Sequence, residues 1–377
     1  MKAYKFKVKR PPKRIVQAFE QTLSVCRELY NAALQERRDA YKKTGKSVNY
    51  CDQANQLIEI KAVREDIAGL HSQVVQDVLR RTERTYDAFF QRILKKERAG
   101  FPRFKPKSGY NSFTYPQSGF RLEGDKLHLS KIGSIRLRLS RPVEGKIKTC
   151  SVKRQVDGWF VIFTAEENQS RYIPRTGEAV GIDVGIENFC ALSTGEIIEN
   201  PHYLSKAEHE LKIAQRKVTK KIGGGSNRSK AIFVLAKKHL KVANQRRDFF
   251  YKSSLHLIRK FDQIVVEDLN IRGMVKNNHL AKSIGDAAWG TFINILSFKA
   301  ESAGRKVMKV QPQFTSQDCS NCGVRAGKAL AVREHRCIIC GFAAHRDVNA
   351  AKNILARAEP LVRVRNASLS DPRILAQ

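Results

Sequence analysis

The chain has 377 residues, 42% of them hydrophobic, with 70 Lys and Arg against 36 Asp and Glu for a formal net charge of +34. That length asks for about two to four domains, and the composition excludes a disordered tail. Self-repulsion at this charge weakens a compact state unless a polyanion neutralises it, and nucleic acid is the partner that fits charge spread along the whole chain.

A membrane-surface protein would concentrate its charge in a local basic helix or polybasic patch. The opening MKAYKFKVKRPPKR is charged throughout and lacks the apolar stretch of a secretory signal. No run approaches the roughly 20 apolar residues of a membrane span. No membrane association and a cytoplasmic location are therefore expected. Four cysteines stand alone (Cys26, Cys51, Cys150, Cys190) and four lie in two CxxC pairs, which suits a reducing compartment and a metal site better than a disulfide framework.

Residues 2–9 alternate and predict a short strand. After Pro11 and Pro12 the apolar positions Ile15, Ala18, Phe19, Thr22, Leu23, Cys26, Leu29, Tyr30 and Ala33 follow helical spacing. A second helix is predicted near 72–97, with Val75, Val78, Leu79, Thr82, Tyr86, Phe89, Phe90 and Ile93 on one face. Helical signal ends at Gly100-Phe101-Pro102. Alternating segments at 127–129, 135–139 and 159–165 then read as a small antiparallel sheet or barrel. Between 101 and 121, Arg103, Lys105 and Lys107 interleave with Phe104, Tyr110, Phe113 and Tyr115. Such mixing suits base stacking with phosphate contact, or equally aromatics of a sheet core beside solvated charges.

Residues 179–184 form an apolar strand carrying one acid, followed by short strands near 188–193 and 196–199. Leu211, Ala214, Val218 and Ile222 step by three and four; GGGSN at 223–227 breaks the run; Leu235, Val242 and Phe249 repeat every seven. A helical hairpin is expected there. A buried strand at 263–267, a helix marked by Trp289, Phe292, Ile293 and Leu296, a strand at 306–310 and a final helix at 348–356 complete the order of an RNase H-like fold. In open sheets, ligands collect at the carboxyl ends of strands.

Asp183, within GIDVG at 181–185, and Glu267, ending IVVE at 264–267, lie at or near such ends. Asp347 opens the last helix. Taken singly, Asp183 would serve as a turn acid, Glu267 as a hydrogen-bonded buried acid and Asp347 as an N-cap. Taken together, the element order brings all three to one edge. Clustered carboxylates repel, and hard cations such as Mg²⁺ or Mn²⁺ relieve that repulsion. Two such ions about 3.5–4 Å apart can activate water and hold both the attacking and the leaving oxygen of a phosphodiester. Asp268 should face the other side of its strand.

Cys319-x2-Cys322 and Cys337-x2-Cys340 are separated by 14 residues, and each pair precedes a glycine, Gly323 or Gly341. That spacing predicts one tetrahedral, closed and therefore structural zinc site. His335 and His345 are surplus to it.

These motifs together resemble the TnpB family, insertion-sequence proteins related to type V CRISPR effector nucleases. The resemblance rests on GIDVG at 181–185, VVEDLN at 265–270, CSNCG and CIICG, and HRDVNAAKNIL at 345–355. It is supported by KAYKFKVK, Tyr30-Asn31, GFPRFK at 100–105 and SIGDAAWG at 283–290. It implies a multidomain α+β protein: an RNase H-like (RuvC) nuclease domain at 178–310 and 341–357, a zinc ribbon at 311–340, a helical recognition lobe at 11–99, a wedge-like β-barrel at 1–10 and 100–177, and a flexible tail at 358–377.

The resemblance further implies an RNA-guided DNA endonuclease of a transposable element, acting as a monomer with guide RNA on target double-stranded DNA beside a short protein-read motif. Asp183, Glu267 and Asp347 match the family's catalytic acids. Tyr50, Gln76, Thr114 and Tyr115 are the candidates for reading the adjacent motif. A transposase using the same acids, or a nuclease-silent RNA-guided regulator, are the competing functions.

Overall fold

The computed structural model describes residues 1–166, 173–327 and 332–358; all but the first residue of the expected tail lies outside them. The chain divides into two compact units, residues 1–168 and 169–377.

In the first unit, β1 (Lys2–Val8) is followed by α1 (Lys13–Thr44), three short helices α2 (Tyr50–Asn55), α3 (Leu57–Val63) and α4 (Glu65–Ala68), and α5 (Ser72–Leu94). Then come β2 (Ser112–Tyr115), β3 (Phe120–Glu123), β4 (Lys126–Leu129), β5 (Gly133–Arg138), β6 (Lys146–Gln155) and β7 (Gly158–Glu166). α1 starts after Pro12, whose ring already holds φ at −56°, and stops at Gly45, a left-handed cap whose N–H bonds the Tyr41 carbonyl.

The seven strands form one antiparallel sheet in the order β2-β6-β7-β1-β5-β4-β3. In its hydrogen bonds this is an open sheet with β2 and β3 as edges, not a closed barrel, among the described residues. β1 lies in the middle, pairing Tyr4 with Phe163 and Phe6 with Val161 on one side and Val8 with Leu137 on the other. Tyr4, Phe6 and Val8 are buried, while the lysines between them face outward. α1 packs its apolar stripe on this sheet, the Phe19 ring lying 4.8 Å from Trp159; burying such a side chain contributes about 1.5–3 kcal/mol. The buried face of α5 runs only from Val74 to Thr82. Phe90 and Ile93, expected on that face, are exposed.

The second unit opens with β8 (Ala179–Val184), β9 (Asn188–Leu192) and β10 (Ile197–Glu199), then α6 (Tyr203–Thr219) and α7 (Ser226–Lys260). β11 (Gln263–Glu267), α8 (Ile271–Met274), α9 (Asn278–Ala287), α10 (Trp289–Ser302) and β12 (Lys306–Val310) follow, with β13 (Glu334–Arg336), β14 (Ala343–His345) and α11 (Arg346–Ala356) last. The sheet order is β10-β9-β8-β11-β12. β8, β11 and β12 run parallel, and β9 and β10 antiparallel to their neighbours. α6 and α7 pack together as a hairpin with Leu211, Ala214, Val218 and Val242 buried. Ile222 is 87% exposed, because α6 has ended at Thr219.

Candidate active site and cysteine cluster

β8 and β11 lie side by side with Ile182 opposite Val266. Asp183 and Glu267 each come one residue later, so both carboxylates leave the same face at the carboxyl ends of neighbouring parallel strands, whose backbones are about 4.8 Å apart. Gly181 and Gly185 share that face, two residues before and after Asp183. α11 crosses directly over it: a Cβ on Gly181 would meet the Ala351 carbonyl oxygen at 2.1 Å and the Leu355 nitrogen at 2.7 Å. The glycine therefore admits a helix backbone. That helix delivers Asp347 in its first turn, and a Cβ on Gly185 would lie 4.0 Å from Asp347 Oδ2. Trp289 on α10 fixes the strand end by donating from Nε1 to the Gly185 carbonyl at 3.2 Å.

Asp183 feels the charge of both other acids. Asp183 is half-buried at its surface but closely surrounded, and that burial pushes its carboxyl well above the usual range. The charges of Glu267 and Asp347 add to the rise, and Arg346 opposes it. Glu267 is buried, which raises it too, against a hydrogen bond from Thr315 and the charge of Arg357. An all-oxygen donor set in which two carboxylate charges hold the Asp183 carboxyl up is what a hard divalent cation fits. Asp268 takes no part; it is exposed and paired with Lys309 at 3.0 Å.

The cysteine pairs also converge. The Sγ atoms of Cys319, Cys322, Cys337 and Cys340 all lie within 4.8 Å of one another, and they are the one such metal-ligand group among the described residues. Cys319 and Cys340 are 3.7 Å apart and Cys322 and Cys337 3.5 Å. A tetrahedron with Zn–S near 2.3 Å has edges of about 3.8 Å, so the quartet fits a single zinc ion. Each knuckle closes through its glycine: the Gly323 N–H bonds the Cys319 carbonyl and the Gly341 N–H the Cys337 carbonyl, with φ of 77° and 71°. His345 is engaged elsewhere, its Nδ1 accepting from the Asp347 N–H at 3.3 Å.

The remaining candidates lie in the first unit. Tyr50 is half-buried under Arg80, which donates to its hydroxyl at 3.3 Å. Gln76 is half-buried on α5, which packs against both α2 and β2. Thr114 is engaged by Arg81 at 2.8 Å and Ser151 at 2.7 Å. Tyr115 is 1% exposed and donates to the Ser130 carbonyl, so it supports the sheet instead of offering a contact surface. Tyr110 and Phe113 are buried as well, which makes them core aromatics. Arg103, Phe104 and Lys105 are exposed, and Asn31 pins this segment through the Lys105 backbone N–H at 2.8 Å and carbonyl at 3.1 Å. Thr315, which donates to Glu267 at 2.6 Å, has no mark in the sequence, and Asn349 and Asn353, whose side chains hold its turn, lie within HRDVNAAKNIL without a role assigned to them there.

Family models match "Helix-turn-helix domain" over residues 1–46, "Probable transposase" over 162–278 and "Cas12f1-like, TNB domain" over 289–354. The first stretch is here a strand and one helix of 32 residues. The chain is 36% identical over 344 residues to a Streptomyces pristinaespiralis protein named "Putative RNA-guided DNA endonuclease", covering 89% of this chain and 84% of that one. It is 31% identical over 376 residues to the Escherichia coli K12 protein "Putative RNA-guided DNA endonuclease InsQ", covering 94% and 92%. A solved structure, "Cryo-EM structure of the Cas12f1-sgRNA-target DNA complex", superposes with a TM-score of 0.61 at 18% identity over 91% of this chain and 83% of its own, a likeness of fold. A multidomain α+β chain carrying a sheet-edge acidic centre and a four-cysteine module is the class defined by these features. The chain belongs to the TnpB family.

Proposed function

We propose that this protein is an RNA-guided DNA endonuclease of an insertion sequence, hydrolysing phosphodiesters at a RuvC-like centre formed by Asp183, Glu267 and Asp347. The observation that carries the reading is the approach of these three carboxylates, on two parallel strand ends and a crossing helix, close enough that the charges of Glu267 and Asp347 help to raise the Asp183 carboxyl. The relatives' names, the strand order and the +34 charge support it.

Asp183, Glu267 and Asp347 would hold Mg²⁺ or Mn²⁺, which when bound lowers the pKa of water and offsets charge on the phosphate. The protein's own part is positional. β8 and β11 fix two carboxylates side by side, α11 supplies the third, and Thr315 orients Glu267. Water attacks phosphorus, the bond to the leaving sugar oxygen breaks, and that oxygen takes a proton. Arg346 is placed to temper the negative charge of the site.

Guide RNA and target double-stranded DNA are the proposed partners of a monomeric complex. The region 1–10 with 100–177 and the helices of 11–99 would hold the heteroduplex by its backbone, a task that needs many cations and few base-reading side chains. Tyr50, Gln76, Thr114, Arg103 and Lys105 are the proposed contacts. Residues 311–340 would carry a structural zinc ion and 178–310 with 341–357 the chemistry.

The test is to sequence the RNA that co-purifies with the protein, then reprogram its guide segment and assay cutting of a matched plasmid in Mg²⁺. Cutting that follows the new guide supports the proposal. Strand transfer without RNA would mark a transposase, and tight guided binding with intact DNA a regulator.

A further inference from the structure

The turn before the first cysteine pair reaches into the acidic centre. Thr315 is 4% exposed, and its hydroxyl lies 2.6 Å from Glu267 Oε1 and 3.3 Å from the Pro312 carbonyl. It has one proton to give, and the shorter contact is to the charge acceptor. The turn is held from α11. Asn353 Nδ2 donates to the carbonyls of Thr315 at 2.8 Å and Asp318 at 2.7 Å. Asn349, fully buried, donates to the Asp318 carbonyl at 2.8 Å and accepts from the Ser320 N–H at 2.9 Å. Arg357, just past α11, donates to the Gln311 carbonyl at 2.7 Å. Cys319 and Cys322 continue the same segment, so the helix that presents Asp347 also clamps the cysteine module and, through it, the side chain touching Glu267.

We infer that Thr315 is a positioning residue for Glu267: its hydroxyl fixes the carboxylate in the orientation that receives the divalent cation, and the cysteine module sets that cation's affinity by holding the Thr315 turn. This rests on the proposed reading of the three acids as cation ligands. The physical ground is that a buried carboxylate on an unbranched side chain has rotamers to choose from, and a single short hydrogen bond from a rigid turn selects one. Partners of this kind typically change metal affinity by about 10- to 100-fold when removed.

The experiment compares Thr315→Val, which keeps the shape and loses the donor, with Thr315→Ser, which keeps the donor, and with Glu267→Ala. Mn²⁺ binding to the RNA-loaded complex is followed by electron paramagnetic resonance of the free ion, with the Glu267→Ala complex as background, and cleavage is read across the same Mn²⁺ range. Thr315→Val should need about 10- to 100-fold more Mn²⁺ for half-saturation and for half-maximal cutting, recovering much of its rate when the ion is abundant. Thr315→Ser should follow wild type. Should Thr315→Val fold poorly, Thr315→Ala reads the same quantity without a branched side chain. A wild-type Mn²⁺ curve for a folded variant lacking the hydroxyl overturns the inference and leaves the acidic centre standing. Wild-type binding and cutting by Glu267→Ala would instead remove the reading beneath it.

Discussion

A methyl group placed on Gly181 would lie 2.1 Å from the carbonyl oxygen of Ala351. That distance explains how an acid on the last helix joins an acid on the first strand of its sheet. β8 has no side chain at the crossing, so α11 seats its backbone on the strand and its first turn reaches Asp183.

Gly181→Ala should therefore separate the acids as well as destabilise the unit. Overpacking in a tight interior costs about 1–3 kcal/mol, and here the opposing atoms are backbone, which cannot rotate away. Cleavage should fall further than stability, since Asp347 moves with the helix. Gly285→Ala is the control: nothing lies within 4 Å of the added carbon, and Ala in a helix is favoured over Gly by about 0.5–1 kcal/mol. Thermal melts and cleavage rates for the two variants check this; equal behaviour would mean that the close crossing does not matter.

The raised carboxyl of Asp183 has a consequence with a definite sign. In the cation-free protein the native state holds this proton more tightly than the unfolded chain does, where an Asp titrates near about 3.9. The contribution is present below that range and is lost as pH rises through the higher native value. Cation binding must displace the proton, so stabilisation by Mn²⁺ should grow with pH. Melting temperatures of the zinc-loaded protein without added divalent cation and with Mn²⁺, from about pH 5 to about pH 8, should diverge for wild type. Asp183→Asn should hold that gap small and flat. A gap that shrinks with pH in the wild type would contradict the assignment.

Zinc should be released with loss of structure at the second unit's cysteine module. Cys319→Ser with Cys322→Ser removes two ligands of a closed four-sulfur set, and structural zinc sites contribute folding free energy directly. The expected result is less than one zinc per chain, a lower melting temperature and poorer solubility. An unchanged zinc content in a normally folded double variant would show that the sulfurs bind no ion.

Much of this centre is legible in the sequence, for physical reasons. An acid ending a buried strand is costly without compensation, so Asp183 and Glu267 stand out. CxxCG repeated at a fixed interval has few meanings. Thr315 gives no such signal, because it meets Glu267 across 48 residues and any turn can hold a threonine. β6 escapes an alternation search because a bulge between Ile147 and Thr149 breaks its period. The interleaved aromatics are ambiguous for a related reason: Phe113 and Tyr115 alternate with polar residues because one face of β2 is buried, Tyr110 is buried just ahead of it, and a similar pattern would arise on a stacking platform.

The three carboxylates are tested most directly by removing each in turn. Asp183→Ala, Glu267→Ala and Asp347→Ala are each assembled with guide RNA and assayed for binding and for cutting of a matched target in Mg²⁺. Each should lose cutting by several orders of magnitude, since placement of the cations and stabilisation of charge are lost together, while guided DNA binding persists on cationic side chains elsewhere. Cutting near the wild-type rate by any one variant would remove that residue from the centre, and by all three would contradict the account.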